Sequence, residues 1–223
     1  MLLQIHKVLE KSEVELLLGK SAIAEFVDGA ATAGPRARRV KHNLQTRPDA
    51  PVASEIGNVV LAALARNLIF HSATLPRRIS PPIINRYREG MRYGNHVDNA
   101  LMGHSPPMRA DVSATLFLSD PASYDGGELL IEDAYGFHSV KLQAGNMILY
   151  PTTSVHRVEA VTRGVRDAVI FWVQSSVADA AKRRLLFDLD MSVQRLTGAD
   201  ADNPEIGNLT ACYSNLLRMW AEA

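Results

Sequence analysis

The 223-residue chain has a single cysteine, Cys212, which excludes an intramolecular disulfide framework. It has no excess of either charge: 24 Lys and Arg balance 24 Asp and Glu, so nothing in the overall charge argues for a nucleic-acid partner or a membrane surface. No uninterrupted apolar run approaches the roughly 18 residues that a membrane helix requires. The opening residues Met1 to Lys7 lack the basic-then-apolar order of a secretory signal. Internal repeats and low-complexity tracts are missing too. These absences set the expectation of a soluble, cytoplasmic protein. What is present is a hydrophobic content of 47%, enough to bury a sizeable core, in a length that favours one domain with additions over two equal ones.

Ser12-Glu13-Val14-Glu15 has the form of a capping box, with Ser12 as N-cap and an apolar face through Leu16 and Leu17. Residues 29–51, rich in Ala, Gly, Arg and Pro, read as a loop whose basic cluster Arg36 to Arg39 either faces water or flanks a substrate entrance. Helical spacing returns at Ile56, Val59, Val60, Ala63 and Leu64. From Ile83 the pattern is one of short strands, as in Val112 to Leu118, where residues alternate between two faces. Asp125-Gly126-Gly127, Gln143 to Asn146 and Thr162-Arg163-Gly164 punctuate the runs. Such spacing predicts an all-β arrangement, best matched by a double-stranded β-helix (jelly roll), in a mainly β protein with flanking helices. Val177 to Leu196 and Ile206 to Trp220 read as helices. The expected organisation is an N-terminal helical and loop support region (1–77), a jelly-roll core (78–176) and a C-terminal helical extension (177–223), whose apolar face suits packing or a homo-oligomer contact.

The chemistry concentrates in a split constellation: His96-Val97-Asp98, then His156, then Arg166. Side chains at i and i+2 of a strand share a face, about 6.5 Å apart at their α-carbons, so His96 and Asp98 can close on one ion. Two imidazoles and a carboxylate that leave positions open suit non-haem Fe(II) oxygenases. A 2-oxo acid can chelate there through its keto and carboxylate oxygens, and its far carboxylate then needs a cation. Arg166 fits, because its planar fork pairs bidentately and stays charged when partly buried. The same donors could hold a hydrolytic Zn with bound water, although no obvious general base accompanies them, or could retain a regulatory ligand in a non-enzymatic sensor. His6, His42, His71, His104 and His138 have no partner at ligand spacing. His104 lies in a segment, Asn99 to Pro107, that could form a lid or substrate loop. Met102 to Met108 and Arg36 to Arg39 are the segments expected to set specificity. Trp172 reads as core in preference to site, and Cys212 as a small buried side chain.

Tyr87-Arg88-Glu89-Gly90 leading to His96-Val97-Asp98-Asn99, then Ser113 to Ser119, Asp125 to Leu129, and Tyr150-Pro151 to His156-Arg157-Val158 give the chain a wider likeness. In order and spacing these pieces resemble the prolyl-hydroxylase branch of the Fe(II)/2-oxoglutarate-dependent dioxygenases, and within it the bacterial PKHD-type hydroxylases. The resemblance implies that His96, Asp98 and His156 are iron ligands and that Arg166 binds the distal carboxylate of 2-oxoglutarate, helped by Tyr87. It also implies O2 as cosubstrate, L-ascorbate as the agent restoring oxidised iron, and hydroxylation of a primary substrate that the motifs do not identify. Some animal relatives place a tyrosine near the distal carboxylate where this chain has Phe117, so Arg166 is expected to draw on Ser or Thr hydroxyls instead.

Overall fold

The computed structural model describes residues 1–103 and 106–222. The first segment runs β1 (Leu3–Ile5), α1 (Lys11–Ile23), β2 (Phe26–Asp28), β3 (Lys41–His42), β4 (Leu44–Thr46), α2 (Pro51–Ala65) and α3 (Leu68–Thr74). Then come β5 (Pro76–Ile79), β6 (Ile83–Tyr87), β7 (Arg92–His96), β8 (Leu101–Met102), β9 (Met108–Arg109) and β10 (Val112–Phe117). They are followed by β11 (Asp125–Gly126), β12 (Leu129–Asp133), β13 (Gly136–Val140), β14 (Met147–Pro151), β15 (His156–Val158), β16 (Val161–Arg163) and the long β17 (Arg166–Ser175). Two helices close the chain, α4 (Ala180–Ala199) and α5 (Glu205–Trp220). Among the described residues the protein is mainly β, with five α-helices, none of them singly long and apolar enough to cross a membrane.

The cap of α1 lies two residues before the predicted one. Glu10, in extended backbone, is the N-cap, and it exchanges hydrogen bonds with Glu13 in place of Ser12 with Glu15. The amides of Val8 and Leu9 both donate to the Gly145 carbonyl, which fixes the chain just before the helix and sets where it starts. Leu17 is buried with Val14 and Ser21, while Leu16 is exposed. The predicted 29–51 loop contains β3 and β4. Neither has a marked apolar alternation; each forms because a neighbour offers a ladder, β7 for β3 and β6 for β4.

An antiparallel sheet of eight strands runs β1-β14-β10-β17-β6-β4-β2, with β5 on β17, and a five-stranded sheet runs β13-β12-β15-β7-β3. The first sheet is covered on both sides, which is why every residue of β10 is buried although the strand alternates as predicted. Ala114 and Leu116 join Leu149, Val169 and Phe171 in a cluster with Leu17 of α1, Ile56, Val60 and Leu64 of α2, Phe70 of α3 and Phe187 of α4. Each of the larger of these side chains, fully buried, contributes roughly 1.5–3 kcal/mol from burial. The opposite face supplies Tyr87, Phe117, Ile148 and Tyr150 to a second cluster with Leu129, Ile131 and Val158 of the five-stranded sheet. A cavity opens beside this second cluster. The tail is tied down by Arg109, which pairs with Glu222 at 2.8 Å, and by the buried Arg183, which donates to the carbonyls of Val177 and Ala178.

Candidate metal and cosubstrate centre

His96 ends β7 and His156 begins β15, and the two are direct cross-strand partners. This pairing brings together residues far apart in sequence, leaving their ring centroids 4.1 Å apart. Asp98 lies two residues beyond the end of β7, and its carboxylate meets both rings: Oδ1 is 3.8 Å from Nε2 of His96 and Oδ2 is 3.8 Å from Nε2 of His156. All three donor atoms lie within 4.8 Å of one another. The Nδ1 atoms face the Gly94 carbonyl at 2.9 Å and the Ser154 carbonyl at 3.1 Å. A carbonyl can only accept, so Nδ1 carries the proton in each ring and the Nε2 lone pairs point inward, as metal ligation requires. Burial, reinforced by the neighbouring His156, lowers the His96 pKa to about 4, so the ring is neutral at physiological pH.

Asp98 is itself held. Its Oδ2 accepts from Ser113 Oγ and from the Trp172 indole Nε1, both at 2.8 Å. Trp172 therefore belongs to the site, contrary to the core reading. Along β17, Val169, Phe171 and Val173 turn to the helices, which leaves Arg166, Ile170 and Trp172 on the cavity side. Trp172→Phe keeps the ring bulk and removes one donor to the carboxylate. Metal affinity should fall about 10–100-fold, read by competition with a chelator, with the apo melting temperature little changed; unaltered affinity would reject a positioning role for the indole.

Arg166, 2% exposed, opens β17 opposite Tyr87 of β6. Its guanidinium carbon stands 5.3 Å from the Tyr87 ring centroid and 5.2 Å from that of Phe117. The expected Ser or Thr partners are not there: among the described residues no hydroxyl of either kind bonds to Arg166, and its Nε has no partner. Aromatic faces flank it instead, with the cation stabilised by their quadrupoles. No carboxylate of the described residues pairs with it either. The contrast with the next residue is informative, since Asp167, on the other face of the strand, is bonded by Arg86 at 2.8 Å and by Ser21 at 2.8 Å. Burial raises the Tyr87 phenol to about 12, so it keeps its proton and remains a donor. Gly127, at φ +67°, makes room for this group: a β-carbon there would lie 3.0 Å from Arg166 Cδ and 3.1 Å from Tyr124 Cε2.

Residues 82–174 match the 2OG-Fe(II) oxygenase superfamily and residues 180–222 match the PKHD-type hydroxylase C-terminal domain. The chain is 53% identical over 227 residues to a PKHD-type hydroxylase of Xanthomonas euvesicatoria pv. vesicatoria, with 100% of both chains covered. A PKHD-type hydroxylase of Hyphomonas neptunium is 53% identical over 228 residues, again covering 100% of both. The chain belongs to the PKHD-type hydroxylases. It is thus an oxygenase, of a superfamily that implies Fe(II) and 2-oxoglutarate. Among solved structures, a Pseudomonas putida prolyl-4-hydroxylase is similar with a TM-score of 0.53 at 20% identity, covering 78% of this chain and 92% of that one. HygX from Streptomyces hygroscopicus, solved with nickel and 2-oxoglutarate bound, has a TM-score of 0.53 at 16% identity, covering 78% and 83%. These distant likenesses speak to the fold alone.

In this PKHD-type hydroxylase the triad, Arg166 and Tyr87 all border one cavity of about 780 Å³. Gly34 and Ala37 border it as well, whereas Arg36, Arg38 and Arg39 are exposed and stay off its wall. Met102 and Gly103 reach it; His104 lies outside the described residues. His6, His42, His71 and His138 do not line it, and His138 is paired with Asp133 at 2.6 Å. Cys212 is exposed, not buried, because α5 packs on α4 and leaves no residue fully covered. Sequence reading missed Ser113, Tyr93, which stacks on His96 at 3.5 Å between centroids, and Lys41. For Ser113 a signal existed: Ser113 and Thr115 are the polar positions on one face of an otherwise apolar strand.

Proposed function

We propose that this PKHD-type hydroxylase is an Fe(II)- and 2-oxoglutarate-dependent dioxygenase. It hydroxylates a C–H bond of a primary substrate while 2-oxoglutarate is decarboxylated to succinate and CO2. The observation that carries this reading is the buried Arg166, without an anionic partner among the described residues, in the same cavity as two inward-facing Nε2 lone pairs and a carboxylate. A buried cation is costly when uncompensated, and a dicarboxylate that is also a metal chelator supplies the missing charge. The hydrolytic alternative gives Arg166 no task. In this reading the two facing sheets form the double-stranded β-helix of the superfamily.

His96, Asp98 and His156 fit a divalent iron, being two imidazoles and one carboxylate with their second atoms engaged by protein groups. When bound, iron with 2-oxoglutarate supplies the oxidising chemistry from O2. The chain's own contribution is placement. Ser113 and Trp172 hold the Asp98 carboxylate, and Arg166 and Tyr87 would receive the distal carboxylate. L-Ascorbate, restoring iron oxidised in unproductive cycles, belongs to the same proposal.

The test is an anaerobic titration of metal-free protein with Fe(II) and then 2-oxoglutarate, followed by succinate measurement after O2 is admitted. A visible charge-transfer band on adding the cosubstrate, lost in His96→Ala, is the expected outcome. Iron verified as bound with no such band would refute the proposal.

A further inference from the structure

Lys41 has no part in the reaction as described, yet it stands on the wall of the same cavity. It lies on the two-residue β3, opposite Tyr93 of β7, and is 9% exposed. Its ammonium donates to one neutral acceptor, Thr32 Oγ1 at 3.1 Å, whose hydroxyl is in turn 2.7 Å from Gln45 Oε1. The Tyr93 ring lies 5.2 Å away. Among the described residues no carboxylate comes within 4 Å of the nitrogen; Asp98 and Asp28 are felt only at longer range. Burial outweighs those two acids and lowers the amine to about 8, which leaves it mostly charged at neutral pH. An ammonium has three donors, and among the described residues one is used. A buried charge in that condition is expensive unless a ligand completes it.

The cosubstrate does not supply the missing partner if the function proposed above holds, and the inference rests on that reading. A chelating dicarboxylate places one end on the metal and the other on Arg166. Arg166 comes from the eight-stranded sheet and Lys41 from the five-stranded one, so the cavity carries two separate cations. The cavity wall includes Ala33, Ala37, Ala53, Leu61 and Pro82 beside the polar Thr32, Gln45, Ser54 and Asn58, and more of it is apolar than polar. The Thr32 hydroxyl is already directed at the Gln45 and Gly29 oxygens. A phosphate, with nearly two charges and three strong acceptor oxygens, calls for more than one ammonium. A carboxylate does not.

We infer that Lys41 is the anchor for a carboxylate of the primary substrate. The probe is acetate against its neutral isostere acetamide, at constant ionic strength, with the protein loaded anaerobically with Fe(II) and saturated with 2-oxoglutarate so that Arg166 is engaged. Acetate should raise the melting temperature and acetamide should not. Lys41→Met should weaken the acetate response about tenfold, the scale of one charge-assisted contact, while 2-oxoglutarate affinity stays within about twofold; Lys41→Arg should keep the acid preference. If Lys41→Met does not fold, Lys41→Gln and the wild-type acid-against-amide comparison decide. Equal responses to acid and amide, an acetate response untouched by loss of the ammonium, or a raised 2-oxoglutarate requirement as the main effect would each overturn the assignment. Failure of the oxygenase reading is visible separately as a missing chelate band, because the acid preference is read from melting.

Discussion

Asp98→Ala should abolish succinate formation. The carboxylate is the only anionic donor in the triad, so if the triad holds the metal as proposed, its loss removes both a ligand and the charge that offsets a divalent cation. Metal assistance is worth several kcal/mol of barrier, and each ~1.4 kcal/mol is tenfold in rate, so turnover should fall on the order of 10³-fold or more. The substitution also strands the Ser113 hydroxyl and the Trp172 indole, which costs roughly 1–3 kcal/mol for each donor left buried without a partner. Asp98→Asn separates the two effects. It keeps an acceptor oxygen for Ser113 and Trp172 but not the charge, so it should retain more stability than Asp98→Ala and still lose activity. The deciding measurement is succinate yield in protein whose iron content has been verified; turnover retained in iron-loaded Asp98→Ala would reject the ligand assignment.

The parts of this site that were legible in sequence are those whose chemistry is carried by residue type. His, Asp and Arg in a strand-rich pattern mark the side chains that the structure brings to one cavity, and the alternation around Val112 to Leu118 announces the sheet that carries them. The illegible parts depend on register. Trp172 is six residues from Arg166, an even spacing, so once Arg166 faces the cavity parity along β17 turns Trp172 the same way. That it then meets Asp98 follows from the pairing of Ser113 with Trp172 across β10 and β17, which no local pattern encodes. Lys41 was hidden more thoroughly. It sits in a segment composed like a loop, and β3 exists only because β7 pairs with it. The exposed Cys212 erred in the other direction: apolar neighbours on a helix signal burial only if a second layer covers them, and α5, packed chiefly on α4, has no buried residue.

Arg166→Ala raises the 2-oxoglutarate concentration needed for half-maximal turnover, with kcat at saturation much less affected. A charge-assisted hydrogen bond contributes roughly 1.5–3 kcal/mol, equivalent to about 10–150-fold in affinity at ~1.4 kcal/mol per decade. Arg166→Lys should fall between, keeping the charge and losing the fork. Gly127→Ala should mimic a mild form of the same defect without touching the guanidinium, because its β-carbon presses on Arg166 Cδ and Tyr124 from a backbone conformation that alanine dislikes. The melting temperature separates a cation held for a ligand from one held for structure. A structural arginine leaves its partners unpaired when removed and lowers the stability of the apo protein. Arg166 has no acid partner among the described residues and a free Nε, so the apo protein should melt close to wild type while the stabilisation produced by 2-oxoglutarate largely disappears. An apo protein several degrees less stable with its 2-oxoglutarate response intact would give Arg166 to the core and leave the cosubstrate's distal carboxylate without its cation.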